Sequence, residues 1–499
     1  MTINYKNIFA SASVMTFLGL MTLGTTSCNK EFIELNDPTR LPTTEGYTDS
    51  LSIQNAVTAA YSSLQDAYGK STNRGLYVFG EIPSDNSFTV VSGERLNEFN
   101  DFTVVSDNPR LQSQWLATYR SVARCNIVLS RAESVKLTQN TRNRLFAEVR
   151  FIRALTYFNA VRIWGDVPLV TGEIESIPDA YQFGRTPQDQ VYAQIEQDLR
   201  FAEENLPVTQ AGANLGRATK GAAQGLLGKV LLTQKKYADA AAKLKQVIDT
   251  NNYALQATYA NIFATTNEMN SEILFAVRYT KGALGLGSGF TTWFMPPYTT
   301  AQTSALLGGA TFTGQQFNTV DTDLVAAFTA SGTSDVRAAT SYTLPINPNA
   351  TTTYYTKKYI DTPTSATDAE NDWIVLRYAD VLLMYAEAVN EQGGPTAPAL
   401  DAVNRVIRRS RNLPVATPNA TVDLPLTISQ GDLRTRLELN FEGHRWFDLV
   451  RTGRAIPVMN AFFTRTGATT RINQNNLLFP IPVQEINTNP ILTQNPGYN

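Results

Sequence analysis

The chain has 499 residues, with 42 Lys+Arg against 44 Asp+Glu, one His and two Cys, and a formal net charge of -2. One imidazole and two thiols exclude a His₃ or Cys₄ zinc centre and any disulfide framework beyond a single bridge, and every histidine-dependent nucleophilic mechanism would run through His444. The near-balanced charge argues against a nucleic-acid binder, whereas 43% hydrophobic and 10% aromatic residues are enough to bury a large core.

Residues 1–27 read as a secretory signal. Lys6 precedes a mostly apolar stretch from Ile8 to Leu23 that Ser11, Ser13, Thr16 and Gly19 interrupt. The stretch is too short and too broken for the roughly 20 apolar residues of a spanning helix. Leu23-Gly24-Thr25-Thr26-Ser27-Cys28 resembles a bacterial lipoprotein box, with Ser27 at the cleavage position and Cys28 as the lipidated residue; Thr25 departs from the usual larger apolar residue. Acyl chains on Cys28 would anchor the chain, each buried CH₂ contributing ~0.8 kcal/mol. Cys125, left without a partner, is expected to be a small buried hydrophobe in a helix. Residues 28–50, rich in Pro and Thr, read as an extended tether, and 51–499 as a single domain.

Helical periodicity then dominates. Ile53, Val57, Ala60, Tyr61 and Leu64 recur at i, i+3, i+4 spacing, as do Trp115, Tyr119, Val122, Asn126 and Leu129. Over 141–164, Leu145, Val149, Ile152, Leu155 and Ile163 mark one apolar face, and Gly165-Asp166-Val167-Pro168 ends the helix. A helix is predicted over 187–205. In 218–250, Gly228 is followed by Leu231, Tyr237, Ala240, Leu244 and Val247 at the spacing of a tetratricopeptide unit, in which the glycine permits close helix contact. A further helix pair is predicted over 373–412 and a helix over 429–452. Arg405, Arg408, Arg409 and Arg411 read as a solvated helix face.

Between these elements, Gly282 to Val320 contains no charged residue but carries Phe290, Trp293, Phe294, Tyr298, Phe312 and Phe317; Ala338 to Thr356 is also uncharged. Both read as long loops with short strands, and aromatics in such loops point to function rather than disorder. Trp293 is the first candidate for a stacking platform, with Phe294 and Tyr298 beside it, since Pro296 and Pro297 stiffen the backbone. A second candidate region, 66–90, offers Tyr68, Asn73, Arg74, Tyr77, Asp85 and Asn86 as faces and hydrogen-bonding groups, against the plainer reading of a structural loop. Glu442-Gly443-His444-Arg445-Trp446-Phe447-Asp448 sets the imidazole between two carboxylates but is read as helix packing. Asp321-Thr322-Asp323 is read as a helix start; it lacks the ligand density of a calcium loop, and no cofactor is predicted.

Five segments, 114–129, 150–170, 376–393, 437–453 and 477–498, together resemble the SusD/RagB family of surface lipoproteins, in the family's order and over essentially the whole chain. The resemblance implies a mainly α fold. Four tetratricopeptide-like helix pairs would form a scaffold, with a loop-rich ligand region about 282–372 and a few short strands. It also implies lipid anchoring at the outer membrane, facing outward, and partnership with a SusC-like TonB-dependent transporter. The ligand would be an oligosaccharide or polysaccharide fragment, or a peptide in the RagB branch, bound without catalysis. An uncharged aromatic loop suits sugars, which present apolar faces and many hydroxyls. A surface glycoside hydrolase and a protein-only tetratricopeptide adaptor are the alternatives from other classes.

Overall fold

Local capping chemistry sets where the helices begin. The Asp49 carboxylate accepts from the Ser52 amide in a capping box and starts α1 (Ser50–Gly69); Asn108 caps α2 (Pro109–Arg131) and Thr138 caps α3 (Gln139–Trp164). α4 (Gln188–Asn205) follows, then α5 (Lys220–Thr233, capped by Thr219) and α6 (Tyr237–Asp249). The computed structural model describes residues 46–498 apart from 71–72, 90, 92, 298–303, 305, 310–311, 344–353, 395 and 425–435. The expected signal segment, Cys28, most of the expected tether and Tyr298 lie outside the described residues.

Each helix packs on the next in chain order from α1 to α6. α6 then packs on α9 (Tyr378–Gly393), and α9 on α10 (Ala397–Ser410). These eight helices make four consecutive pairs among the described residues, the stacked arrangement of a tetratricopeptide scaffold. Gly228 is needed where α5 meets α6: a Cβ there would lie 2.6 Å from the Leu244 side chain. Ala240 and Val247 are fully buried in the same contact. Cys125 is fully buried on α2, and burial pushes its thiol up to about 12.

Four short strands stand beside the helices. β2 (Ile273–Val277) and β4 (Trp373–Arg377) form an antiparallel ribbon that packs on α1 and α5, with Val277 opposite Trp373. β1 (Ser87–Phe88) pairs with β3 (Thr319–Val320), Ser87 opposite Val320. Residues 373–377, predicted as helix, are therefore strand. Their backbone finds its partners on β2, about 100 residues away.

Two further expectations are corrected. The helix predicted over 429–452 is confined, among the described residues beyond its first turn, to α11 (Arg445–Arg451); residues 429–435 lie outside the description. Phe441 and Gly443 adopt φ of 61° and 76°, which no helix continues through. The Glu81 carboxylate holds this turn by accepting from the Phe441 amide (3.0 Å) and the Gly443 amide (3.1 Å).

The arginine cluster is not a solvated face. Arg408 and Arg409 are 2% and 0% exposed. Arg408 pairs with Asp423 at 2.7 Å, Arg409 with Glu272 at 3.0 Å and with Glu438, and Arg411 with Asp335 at 3.1 Å. Arg405 lies over the Tyr378 ring. Arg377 completes this buried network with Glu272, Glu438 and Glu442, and Lys358 joins it through Glu442 at 2.9 Å. Full pairing is what makes so many interior charges tolerable.

Candidate functional site

The fold brings the two candidate loop regions together. Asp321 N donates to the Asn86 carbonyl beside the β1–β3 pair, and Thr89 Oγ1 donates to the Gln316 carbonyl. Residues 314–317 run alongside a short helix, α7 (Phe290–Phe294): Gln315, Gln316 and Phe317 amides donate to the carbonyls of Thr292, Met295 and Trp293. Gly314 permits this approach, since a Cβ would fall 2.0 Å from the Pro296 carbonyl oxygen. Gly75, at φ 91°, folds back onto the Tyr68 carbonyl in the same way.

The site is layered. Its base is aromatic: Tyr359 stacks on Trp373 at 5.4 Å, Phe290 lies against both, and Phe294 meets Tyr77 edge-on at 4.9 Å. Above it, the Arg74 guanidinium lies 4.9 Å from the Trp293 ring centre and 4.7 Å from that of Phe317, a cation between two π faces. Glu94 holds Arg74 through Nε (3.3 Å) and Nη2 (3.0 Å) and also meets Arg110 at 3.3 Å. Asn73 Nδ2 donates to Gln114 Oε1 at 3.1 Å, and Asn73 Oδ1 accepts from the Gly75 amide. Burial holds Arg110 below the ordinary guanidinium range and pushes the Tyr77 hydroxyl above its own.

Of the residues singled out from sequence, Arg74 alone among those described keeps partial exposure. Trp293 is 2% and Phe294 1% exposed, so neither ring offers an open face in this conformation; Trp293 is the floor on which Arg74 rests. Tyr68, Asn73, Tyr77, Asp85 and Asn86 are buried as well. Tyr68 Oη accepts from Asn159 Nδ2 at 2.8 Å on the scaffold side. Burial pushes Asp85 up, but Arg436 and Arg445 overcome that and hold it below the usual carboxylate range; Arg445 reaches it at 2.7 Å. Asn86 donates to Glu81 at 2.9 Å and accepts from Arg436 at 2.8 Å. Sequence reasoning did not single out Phe317, Glu94 or Arg110 as site residues. Phe317 was visible as one of the loop aromatics. Glu94 and Arg110 carry no local signal, because their role depends on Arg74 arriving from another segment. The outward surface of the layer consists of exposed Gln315 and half-buried Glu94, Arg74 and Gln316.

The His444 motif carries no free acid–base pair. Glu442 is bound by Arg377 and Lys358, Asp448 by Arg451 at 2.8 Å, and His444 Nδ1 faces Lys229 Nζ at 2.9 Å. Asp321 caps the helix α8 (Thr322–Ser331) through the Asp323 amide, as its sequence predicts. Among the described residues no group of three or more His, Cys, Asp or Glu could hold a metal ion, and no helix is long and apolar enough to cross a membrane.

A stack of four helix pairs with a loop-built aromatic layer defines a helical-repeat protein of the tetratricopeptide-like class. The chain belongs to the SusD family: the family model matches residues 228–498, and a second model, described as "Starch-binding associating with outer membrane", matches residues 31–232. Two SusD-like proteins of Formosa agariphila are 28% identical over 527 residues (95% of this chain, 96% of the relative) and 26% identical over 486 residues (89% and 92%). Among solved structures, a laminarin-binding SusD-like protein is 28% identical, with a TM-score of 0.75, over 91% of this chain and 100% of its own. Surface glycan-binding protein A of Bacteroides fluxus shares the fold with a TM-score of 0.77 at 22% identity, over 92% and 100% of the two chains.

Proposed function

We propose that this protein is a surface lipoprotein, anchored at the outer membrane through Cys28, that captures oligosaccharides or polysaccharide fragments and hands them to a SusC-like TonB-dependent transporter. The observation that carries the reading is the full-length similarity to a laminarin-binding SusD-like protein. The loop layer over Trp293 supports it. The layer is uncharged in sequence from 282 to 320, is built on aromatic rings, and is edged by amide and ion-paired groups that suit hydroxyl-rich ligands. The ligand would rest on Arg74, Gln315 and Gln316, with Trp293 and Phe317 as the rigid floor and Tyr298 as a further contact. The protein would bind without catalysis, since the carboxylates flanking His444 are held in ion pairs.

The test is affinity electrophoresis and calorimetry of residues 29–499 against a panel of neutral glycans, laminarin included, and a peptide library. Glycan binding weakened about tenfold in Gln315→Ala and Arg74→Ala, roughly 1.4 kcal/mol each, is expected. Silence on every glycan together with clear peptide binding would overturn the carbohydrate reading.

A further inference from the structure

On the scaffold side of the aromatic layer, with Trp373 shared between the two, α1, α3, α5, β4 and the 442–444 turn line a partly open pocket with interior room for a guest of about water size. Its apolar walls include Leu155, Phe158 and Trp373, and its polar lining comprises Tyr68, Asn159, Arg162, Lys229, Glu442 and His444.

The polar lining is unbalanced. Arg162 is gripped between the rings of Phe158 and Phe447, 4.0 and 4.2 Å from their centres. Its Nε donates to the Phe158 carbonyl at 3.1 Å and its Nη2 to Asn159 Oδ1 at 2.6 Å; Nη1 has no protein acceptor among the described residues. The neighbouring cations each have a carboxylate: Lys229 has Asp380 at 2.8 Å, Arg377 and Lys358 have Glu442, and Arg451 has Glu387 and Asp448. Arg162 hydrogen-bonds only neutral oxygens; burial holds its guanidinium down to about 10, against the attraction of the Asp448 carboxylate, which is itself ion-paired to Arg451.

The other groups add donors. An ammonium can only donate, so Lys229 at 2.9 Å makes His444 Nδ1 an acceptor and leaves the proton on Nε2. Burial, then Lys229 and Arg162, holds His444 well below its ordinary range, so the ring stays neutral. Tyr68 Oη accepts from Asn159 and keeps its own proton to give. The Glu442 carboxylate, the one anionic group in the lining, already accepts from Arg377 and Lys358. A partly enclosed space with surplus donors and a cation that hydrogen-bonds no carboxylate favours a negative occupant.

We propose that this cavity binds a small inorganic anion, a halide or compact oxyanion, held chiefly by Arg162 with Lys229, His444 and Tyr68 as additional donors. It is independent of the glycan reading, since the scaffold forms it. The decisive experiment is diffraction from crystals of the wild-type domain grown with sodium bromide in place of chloride, recorded at the bromine edge. An anomalous peak in the cavity within hydrogen-bond reach of Arg162 is expected; a cavity holding only water, or bromide that enters only at molar concentration, overturns the proposal. In solution, chloride, bromide or phosphate at constant ionic strength should raise the Tm of the wild type saturably. The shift should vanish in Arg162→Gln and persist in Arg120→Gln on the exposed face of α2. The same anion dependence in all three proteins would refute the site.

Discussion

Glu81 gives the sharpest energetic prediction, because one buried carboxylate joins the candidate site to the scaffold. It is fully buried and accepts from Asn86 Nδ2 at 2.9 Å and from the amides of Phe441 and Gly443, tying the 81–90 loop to the 441–443 turn. Burial, only partly offset by these hydrogen bonds, pushes its pKa from 4.5 up to about 7. Between those values the folded chain keeps a proton that the unfolded chain has released. The contribution to stability is therefore fully present below about pH 4.5 and is lost as pH rises through about 7. At ~1.4 kcal/mol per pH unit, the loss across that window is about 3 kcal/mol. Glu81→Gln removes the titration. Its amide oxygen can keep the Asn86 and Phe441 bonds, but its NH₂ then faces the Gly443 N–H, costing about 1–3 kcal/mol at every pH. Urea unfolding of both proteins at pH 5, 6, 7 and 8 isolates the effect, since every other titrating group is common to them. The wild type should be the more stable at pH 5, and the gap should close by about 3 kcal/mol by pH 8. A gap that stays constant with pH would show that Glu81 is ionised throughout and refute the reasoning.

Two further outcomes follow from packing. Gly228→Val should destabilise the domain by about 1–3 kcal/mol, measured by urea midpoint, because its Cβ alone would lie 2.6 Å from Leu244 at the α5–α6 contact; a neutral effect would mean the two helices separate easily. Cys125, fully buried with its thiol pushed up to about 12, should not react with a disulfide reagent in the folded domain lacking Cys28 and should react fully in denaturant; native-state labelling would contradict the packing of α2.

Much of this protein was readable residue by residue. The boundaries of α1 to α6 lie within a few positions of the apolar periodicity, because an i, i+4 face and a capping side chain act within one or two turns. The α5–α6 glycine and the Asp321 cap were legible for the same reason. The site was legible only as two separate loops rich in aromatic and polar residues. Nothing local shows that Arg74 will settle between Trp293 and Phe317, or that both rings will face inward.

The interior charges show the limit most clearly. In a helical window, Arg408, Arg409 and Arg411 look like a solvated face. The acid that neutralises Arg409, Glu272, lies 137 positions away, and Glu438 lies 29 away beyond the helix. The periodicity over 437–452 likewise reads as one helix, yet Glu81, about 360 positions earlier, captures the Phe441 and Gly443 amides and breaks it before Arg445. Periodicity and capping are properties of consecutive residues, and the sequence by itself determined the helical scaffold through them. Whether a charge or a ring is buried depends on which distant group arrives to pair with it, and only the tertiary structure decided that.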